Sequence, residues 1–135
     1  MGQITFIAPD GEERLDPSRE FLKELILKRG DEYWQSGSGD AALWFDYDEE
    51  RRARLILIEN EPEGFFLLYE SPDEGMYYCP TNEAELEQTI TVYVGGEEME
   101  VSVGHFLNKQ VAWLAVEDFL QSGERSAKLK WEVWQ

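Results

Sequence analysis

The chain has one cysteine, one histidine and, between Arg54 and Lys109, no lysine or arginine at all. Each shortage excludes something. A single cysteine, Cys79, makes no internal disulfide. No C-x-x-C, H-E-x-x-H, P-loop or G-x-S-x-G spacing occurs, so no local pattern points to a bound metal, a cradled nucleotide or an activated serine. No apolar run reaches the roughly 18 residues of a membrane span. The opening MGQITFIAPDGEE lacks the basic start and the apolar stretch of a secretory signal. The expectation is a cytoplasmic protein without membrane attachment.

What is abundant is acid. Asp and Glu number 29 against 12 Lys and Arg, a formal charge of −17 over 135 residues. Such a chain is repelled by nucleic acid and by anionic membranes, and it attracts basic partners. Net charge also supplies solubility on any fold. The distribution is more informative than the total. The base-free stretch carries Glu59, Glu61, Glu63, Glu70, Asp73, Glu74, Glu83, Glu85, Glu87, Glu97, Glu98 and Glu100. Apolar residues at 42% and aromatics at 13% supply a core despite the charge. The length predicts a single domain over residues 1–135.

The local patterns predict strands over 3–7, 43–47, 54–59 and 65–70, with a turn at 60–64. The runs LILI and FFLLY do not alternate, so both of their faces are expected to be covered. Gly95-Gly96 between TITVYV (89–94) and MEVSV (99–103) predicts a hairpin. Ile90, Val92 and Val94 face Met99, Val101 and Val103 on one side, and Thr91, Tyr93, Glu98 and Glu100 take the other. A first helix is expected from Asp16 as N-cap and Pro17, with Phe21, Leu22, Leu25 and Ile26 as its stripe and Gly30 as its left-handed stop. A second runs from Asn108 to Gly123. Its core stripe is Ala112, Ala115, Val116, Phe119 and Leu120, and Gln110, Trp113, Glu117 and Gln121 form its polar side. DEYWQSGSGDAAL and residues 71–87 read as loops. The last strand, KLKWEVW, puts Leu129, Trp131 and Val133 on one face and Lys130, Glu132 and Trp134 on the other. The fold class is α+β, an antiparallel sheet of about six to seven strands with two main helices.

Reactive chemistry is sparse. His105 reads as structural. Cys79 reads as a small buried hydrophobe, and pairing with His105 has no local support. In DYDEE (46–50) an EF-hand would need glycine where Arg51 stands, so the cluster reads as a solvated strand end and turn. SGSG (36–39) precedes a strand and opens no helix, a weak phosphate-loop pattern. No catalytic residue, cofactor or metal ligand is assigned, and no tight metal site is expected.

The C-terminal third carries a resemblance. Ala112, Ala115, Phe119, Leu120, Gly123, Arg125 and Trp131 follow one another in the order seen in the Imm-one family of bacterial immunity proteins, from polymorphic and contact-dependent toxin systems. Ser126 replaces that family's usual proline. YWQSGSGDAAL, with Tyr33, Trp34, Gly37 and Gly39, is also similar to members of the group. The resemblance implies a small α+β protein without catalysis that binds and blocks a toxin domain, in many such systems a deaminase or nuclease acting on nucleic acid. It makes Trp131 the anchor of the last strand.

An acidic surface suits the basic groove that such a toxin needs. The expected contact residues are Tyr33, Trp34, Glu70, Asp73, Glu74, Glu97, Glu98, Glu100, Trp113 and Trp134. Two other classes stay open: a small hydrolase or ligand-binding enzyme using acids near SGSG, and a regulatory interaction module unrelated to toxins.

Overall fold

A computed structural model describes residues 2–60, 63–72, 75–80 and 88–134. In chain order the elements are β1 (Gln3–Ile7), β2 (Glu13–Leu15), α1 (Arg19–Lys28), α2 (Asp31–Trp34), β3 (Ala41–Asp46), β4 (Arg52–Asn60) and β5 (Gly64–Glu70). Then follow β6 (Tyr77–Pro80), β7 (Thr89–Val94), β8 (Glu97–Ser102), a 3-10 turn (Val103–His105), β9 (Phe106–Leu107), α3 (Lys109–Ser122) and β10 (Trp131–Val133). The fold is α+β. The main sheet runs β10-β6-β5-β4-β3-β1-β2, with β9 also on β5, and the pairings are antiparallel. β7 and β8 form a separate two-stranded layer. No helix among the described residues is long and apolar enough to cross a membrane.

The non-alternating runs are explained by two cores, one on each face of the sheet. Leu55 and Leu57 of β4, with Phe65, Leu67 and Tyr69 of β5, pack beneath α1 and α3. The intervening Ile56, Ile58, Phe66 and Leu68 pack beneath Val92, Val101 and Phe106. Period two thus sends alternate residues to different hydrophobic partners. The hairpin does not cover β3, and there the pattern alternates: Ala41, Leu43 and Phe45 are buried, and Ala42, Trp44 and Asp46 are half-buried.

α3 begins and ends where the sequence predicts. Asn108 caps it, its side-chain oxygen accepting from the Val111 N–H at 2.9 Å. Gly123 stops it in the left-handed region at φ 74°. A Cβ there would also lie 2.6 Å from Phe45 and Tyr47, so glycine is needed for conformation and for space.

α1 differs from expectation at both ends. Its N-cap is Ser18, whose Oγ accepts from the Phe21 N–H at 3.1 Å. Asp16 is instead held at φ 45°, and its carboxylate accepts from the Ile4 N–H at 3.1 Å. That bond ties the approach loop to β1, which outweighs a capping role. The helix ends on Arg29 in an extended conformation, and Gly30 becomes the N-cap of α2.

Two tryptophans move into the core. Trp113, expected on a polar helix face, is 7% exposed. Trp113 belongs to the first core together with Leu22, Leu25 and Ile26 of α1, and one turn further along α3 Glu117 pairs with Arg19 of α1. The expected polar side is thus divided: Trp113 is core and Glu117 half-buried, whereas Gln110 and Gln121 are exposed as predicted. Trp34, expected in a loop, closes α2 at 1% exposure. Its ring N–H donates to the Leu25 carbonyl at 3.1 Å, and its edge meets Phe65 at 4.9 Å. The segment 71–87, expected as a loop, contains β6, which bridges β5 and β10.

Trp34→Ala and Trp113→Ala are each expected to cost about 3–5 kcal/mol, the range for a buried large aromatic. Leu114→Ala, on the exposed side of α3, should stay within about 0.5 kcal/mol. Urea melts decide the matter: a Trp113→Ala midpoint as near wild type as that of Leu114→Ala would place Trp113 outside the core.

Candidate functional site

The β7–β8 hairpin is the main candidate. Gly95 and Gly96 both have positive φ, 59° and 86°, as the tight two-residue turn between twisted strands requires. The register pairs Tyr93 with Glu98, Thr91 with Glu100, and Val94 with Glu97. Ile90, Val92, Val94, Met99 and Val101 belong to the second core, as the sequence predicts. The opposite face presents Thr91, Tyr93, Glu98 and Glu100, all exposed, with Glu97 exposed beside the turn. Tyr93 is 47% exposed, and its hydroxyl donates to Glu98 at 3.5 Å. Lys and Arg are absent from the hairpin.

The SGSG loop holds this layer in place. Asp40 Oδ1 accepts from the Gly95 N–H at 3.0 Å and from the Ser38 hydroxyl at 2.7 Å. The Gly96 N–H donates to the Ser38 carbonyl at 3.2 Å. On its other side the Ser38 N–H donates to the Pro9 carbonyl at 3.0 Å, and the Gly39 N–H to the Ser36 carbonyl at 3.1 Å. Those two amides are directed at backbone carbonyls, so they do not form an anion cradle. The loop is a joint between the β1–β2 connection and the hairpin turn. A cavity of about 330 Å³ lies beside it, lined by Gln35, Ser38, Gly39, Glu59, Asn60 and Tyr93 among others. Glu59 is a buried carboxylate at 2% exposure.

The remaining expected contact residues do not gather on the hairpin. Trp34 and Trp113 are core and cannot touch a partner. Tyr33 is half-buried on the helical side of the sheet, under the Arg29 guanidinium at 4.8 Å. Burial, followed by the Asp10 carboxylate, pushes its phenol above the ordinary value. Glu70 is paired with Arg54 at 2.9 Å. Trp134 is half-buried against Phe66 at 5.2 Å and covers the second core. Asp73 and Glu74 lie outside the described residues. Trp131 is half-buried against the first core, its ring N–H donating to the Ser126 carbonyl at 2.9 Å. The two terminal tryptophans therefore serve opposite faces of the sheet, as strand alternation predicts.

Trp44 was not singled out from the sequence. It lies on the part of the sheet that the hairpin leaves open, with Arg52 at 4.0 Å and Arg54 at 4.9 Å over its ring. Arg52 pairs with Asp46 at 2.6 Å, and Arg54 donates to Tyr77 Oη at 3.1 Å. The alternation in AALWFD carried that signal. In DYDEE, Asp48 accepts from the N–H groups of Glu50 and Arg51 at 2.8 and 2.9 Å, which holds its carboxyl below the usual range. That segment is a turn, as expected.

Cys79 and His105 do come together, with Glu132 as a third member. Burial and then the Glu132 charge push the Cys79 thiol up to about 12. A thiol held that high is not poised as a nucleophile at neutral pH.

Asp40→Ala removes the acceptor that fixes both Ser38 and the hairpin turn. The expected cost is about 1–2 kcal/mol, as for hydrogen bonds to a charged group near the surface. Amide exchange at Gly95 and Gly96 should accelerate while that of β4 and β5 follows only the global change. Equal acceleration throughout would show that the loop does not hold the hairpin separately.

Compared with family models and with curated proteins, the chain matches none.

Proposed function

We propose that this chain is an immunity-type protein that binds the catalytic domain of a cognate toxin and neutralises it by occlusion, with the outer face of β7–β8 and the exposed Glu97 beside its turn as the acidic contact. The observation that carries the reading is the exposure of Glu97, Glu98 and Glu100 beside the half-exposed Tyr93, on a hairpin free of cations. An enzyme that handles nucleic acid needs a positively charged groove. Carboxylates spaced along a strand resemble a row of phosphates, and opposite charge speeds encounter. Tyr93 adds the amphipathic anchor typical of binding hot spots. The partner would be a basic deaminase or nuclease domain met in the cytoplasm, with no cofactor involved. The order of Ala112, Ala115, Phe119, Gly123, Arg125 and Trp131 supports the same assignment by resemblance.

A direct test is protection. The toxin domain encoded by the neighbouring gene should arrest growth when expressed alone, and co-expression of this chain should restore it. The triple reversal of Glu97, Glu98 and Glu100 to Lys should abolish protection while melting near wild type, because the three side chains are exposed. In stopped-flow mixing the same variant should associate more slowly, with a flatter salt dependence. Reversing Glu20 and Glu24, exposed on α1, should do less. A larger effect from the α1 reversals would move the interface to the helical side. Failure of the wild-type chain to protect would remove the immunity reading.

A further inference from the structure

Three side chains of metal-ligating type, far apart in sequence, meet over the second core. Cys79 and Glu132 are directly opposed in the β6–β10 pairing, so both leave the same face of the sheet. His105, the last residue of the 3-10 turn, meets them there, its Nε2 2.5 Å from Glu132 Oε1. The cysteine sulfur, an imidazole nitrogen and a glutamate oxygen all lie within 4.8 Å of one another. His105 is only 9% exposed, and its Nδ1 is buried with no hydrogen-bond partner among the described residues. With Nδ1 unpartnered, no second hydrogen bond among the described residues pins the imidazole tautomer, so Nε2 is able to present its lone pair to a metal. The Trp134 ring, 5.8 Å from that of His105, packs beside the cluster.

We propose that Cys79, His105 and Glu132 form a binding site for one Zn²⁺ ion. The donor set is one sulfur, one nitrogen and one carboxylate oxygen, a mixture that borderline Zn²⁺ accepts, whereas Mg²⁺ and Ca²⁺ select oxygen. Zinc bond lengths of about 2.0–2.3 Å in a tetrahedron place ligand atoms roughly 3.4–3.6 Å apart. The spacings here, from 2.5 Å to at most 4.8 Å, bracket that range. Loading requires the His105–Glu132 contact to open by about 1 Å to reach the tetrahedral spacing. The Glu132 side chain, 49% exposed, has room to do so. Zn²⁺ binds the thiolate and the displaced proton is released to solvent, so the thiol's burial does not prevent ligation. Three protein ligands leave a fourth position for water. The ion would fasten the short β10 strand to β6 and to the turn after β8.

Calorimetric titration of the full chain with Zn²⁺, with Mg²⁺ and Ca²⁺ as controls, tests this, and Co²⁺ serves as the spectroscopic probe. One Zn²⁺ per chain should bind at submicromolar concentration, and Co²⁺ should give tetrahedral visible bands with a near-ultraviolet thiolate-to-metal band. Glu132→Gln, at a half-exposed position that leaves the fold intact, should weaken Zn²⁺ at least tenfold. Cys79→Ser should abolish the thiolate band. If Cys79→Ser does not fold, Glu132→Gln and the wild-type cobalt spectrum decide. Absence of stoichiometric binding overturns the proposal. So does binding undiminished in Glu132→Gln and without a thiolate band, which would show surface acids holding the ion.

Discussion

The architecture depends on burying two strands twice. β4 and β5 carry uninterrupted apolar runs, and their pairing sets Leu55 against Tyr69, Ile56 against Leu68, Leu57 against Leu67 and Ile58 against Phe66. Whichever way the sheet turns, half of these side chains face water until a second layer covers them. At roughly 25 cal/mol per Å² of apolar surface, an uncovered face of this kind is not a stable arrangement. Helices α1 and α3 cover one side. Among the described residues the β7–β8 hairpin, the 3-10 turn, Phe106 and Trp134 cover the other. The joint at Ser38 and Asp40 matters for that reason: a two-stranded ribbon is marginal alone and has to be fixed at its turn.

That requirement gives the resemblance residues a physical reading. Ala112, Ala115 and Phe119 are the close-packed side of α3, and Gly123 ends the helix against Phe45 and Tyr47. Arg125 lies over the Tyr78 ring at 3.8 Å. Ser126, buried where the family pattern has proline, donates to Asp118 at 2.6 Å and accepts from the Lys128 N–H at 3.2 Å. Trp131 then returns a bond to the Ser126 carbonyl. These contacts tie the end of α3 and the segment after it to β3, to β6 and, through Trp131, to the last strand. The shared order of residues describes how a scaffold is closed, and it constrains the identity of a bound partner much less.

Features written in short-range chemistry were legible in the sequence. The Asn108 and Gly123 caps, the Gly95-Gly96 turn, the hairpin's inward and outward faces and the double burial of LILI and FFLLY all depend on residues within a few positions of one another. Features that depend on what another element covers were not. Trp113 looks solvent-facing until the first core closes around it. Asp16 looks like a cap until β1 offers the Ile4 N–H. Glu70 belongs to a base-free stretch in sequence, yet the β4–β5 register places it opposite Arg54. The same reason hid Cys79, His105 and Glu132: no spacing rule brings residues from β6, a 3-10 turn and β10 together, and only the register does so.

The hairpin is also where charge and stability separate. Its inner residues are fixed by the second core, and any change of volume at Val92 or Val101 is felt by Ile58 and Phe66. Its outer residues contact mainly water and one another. Thr91 faces Glu100 and Tyr93 faces Glu98, pairs worth a few tenths of a kcal/mol to about 1 kcal/mol each. A surface so weakly coupled to folding can change its charge pattern without unfolding the protein. The Trp44 patch cannot, because Arg52 and Arg54 are each tied to a carboxylate as well as to the ring. Among the described residues on the sheet's second face, the hairpin combines uncompensated acid with freedom to vary, and the proposed contact with a basic partner rests on that combination.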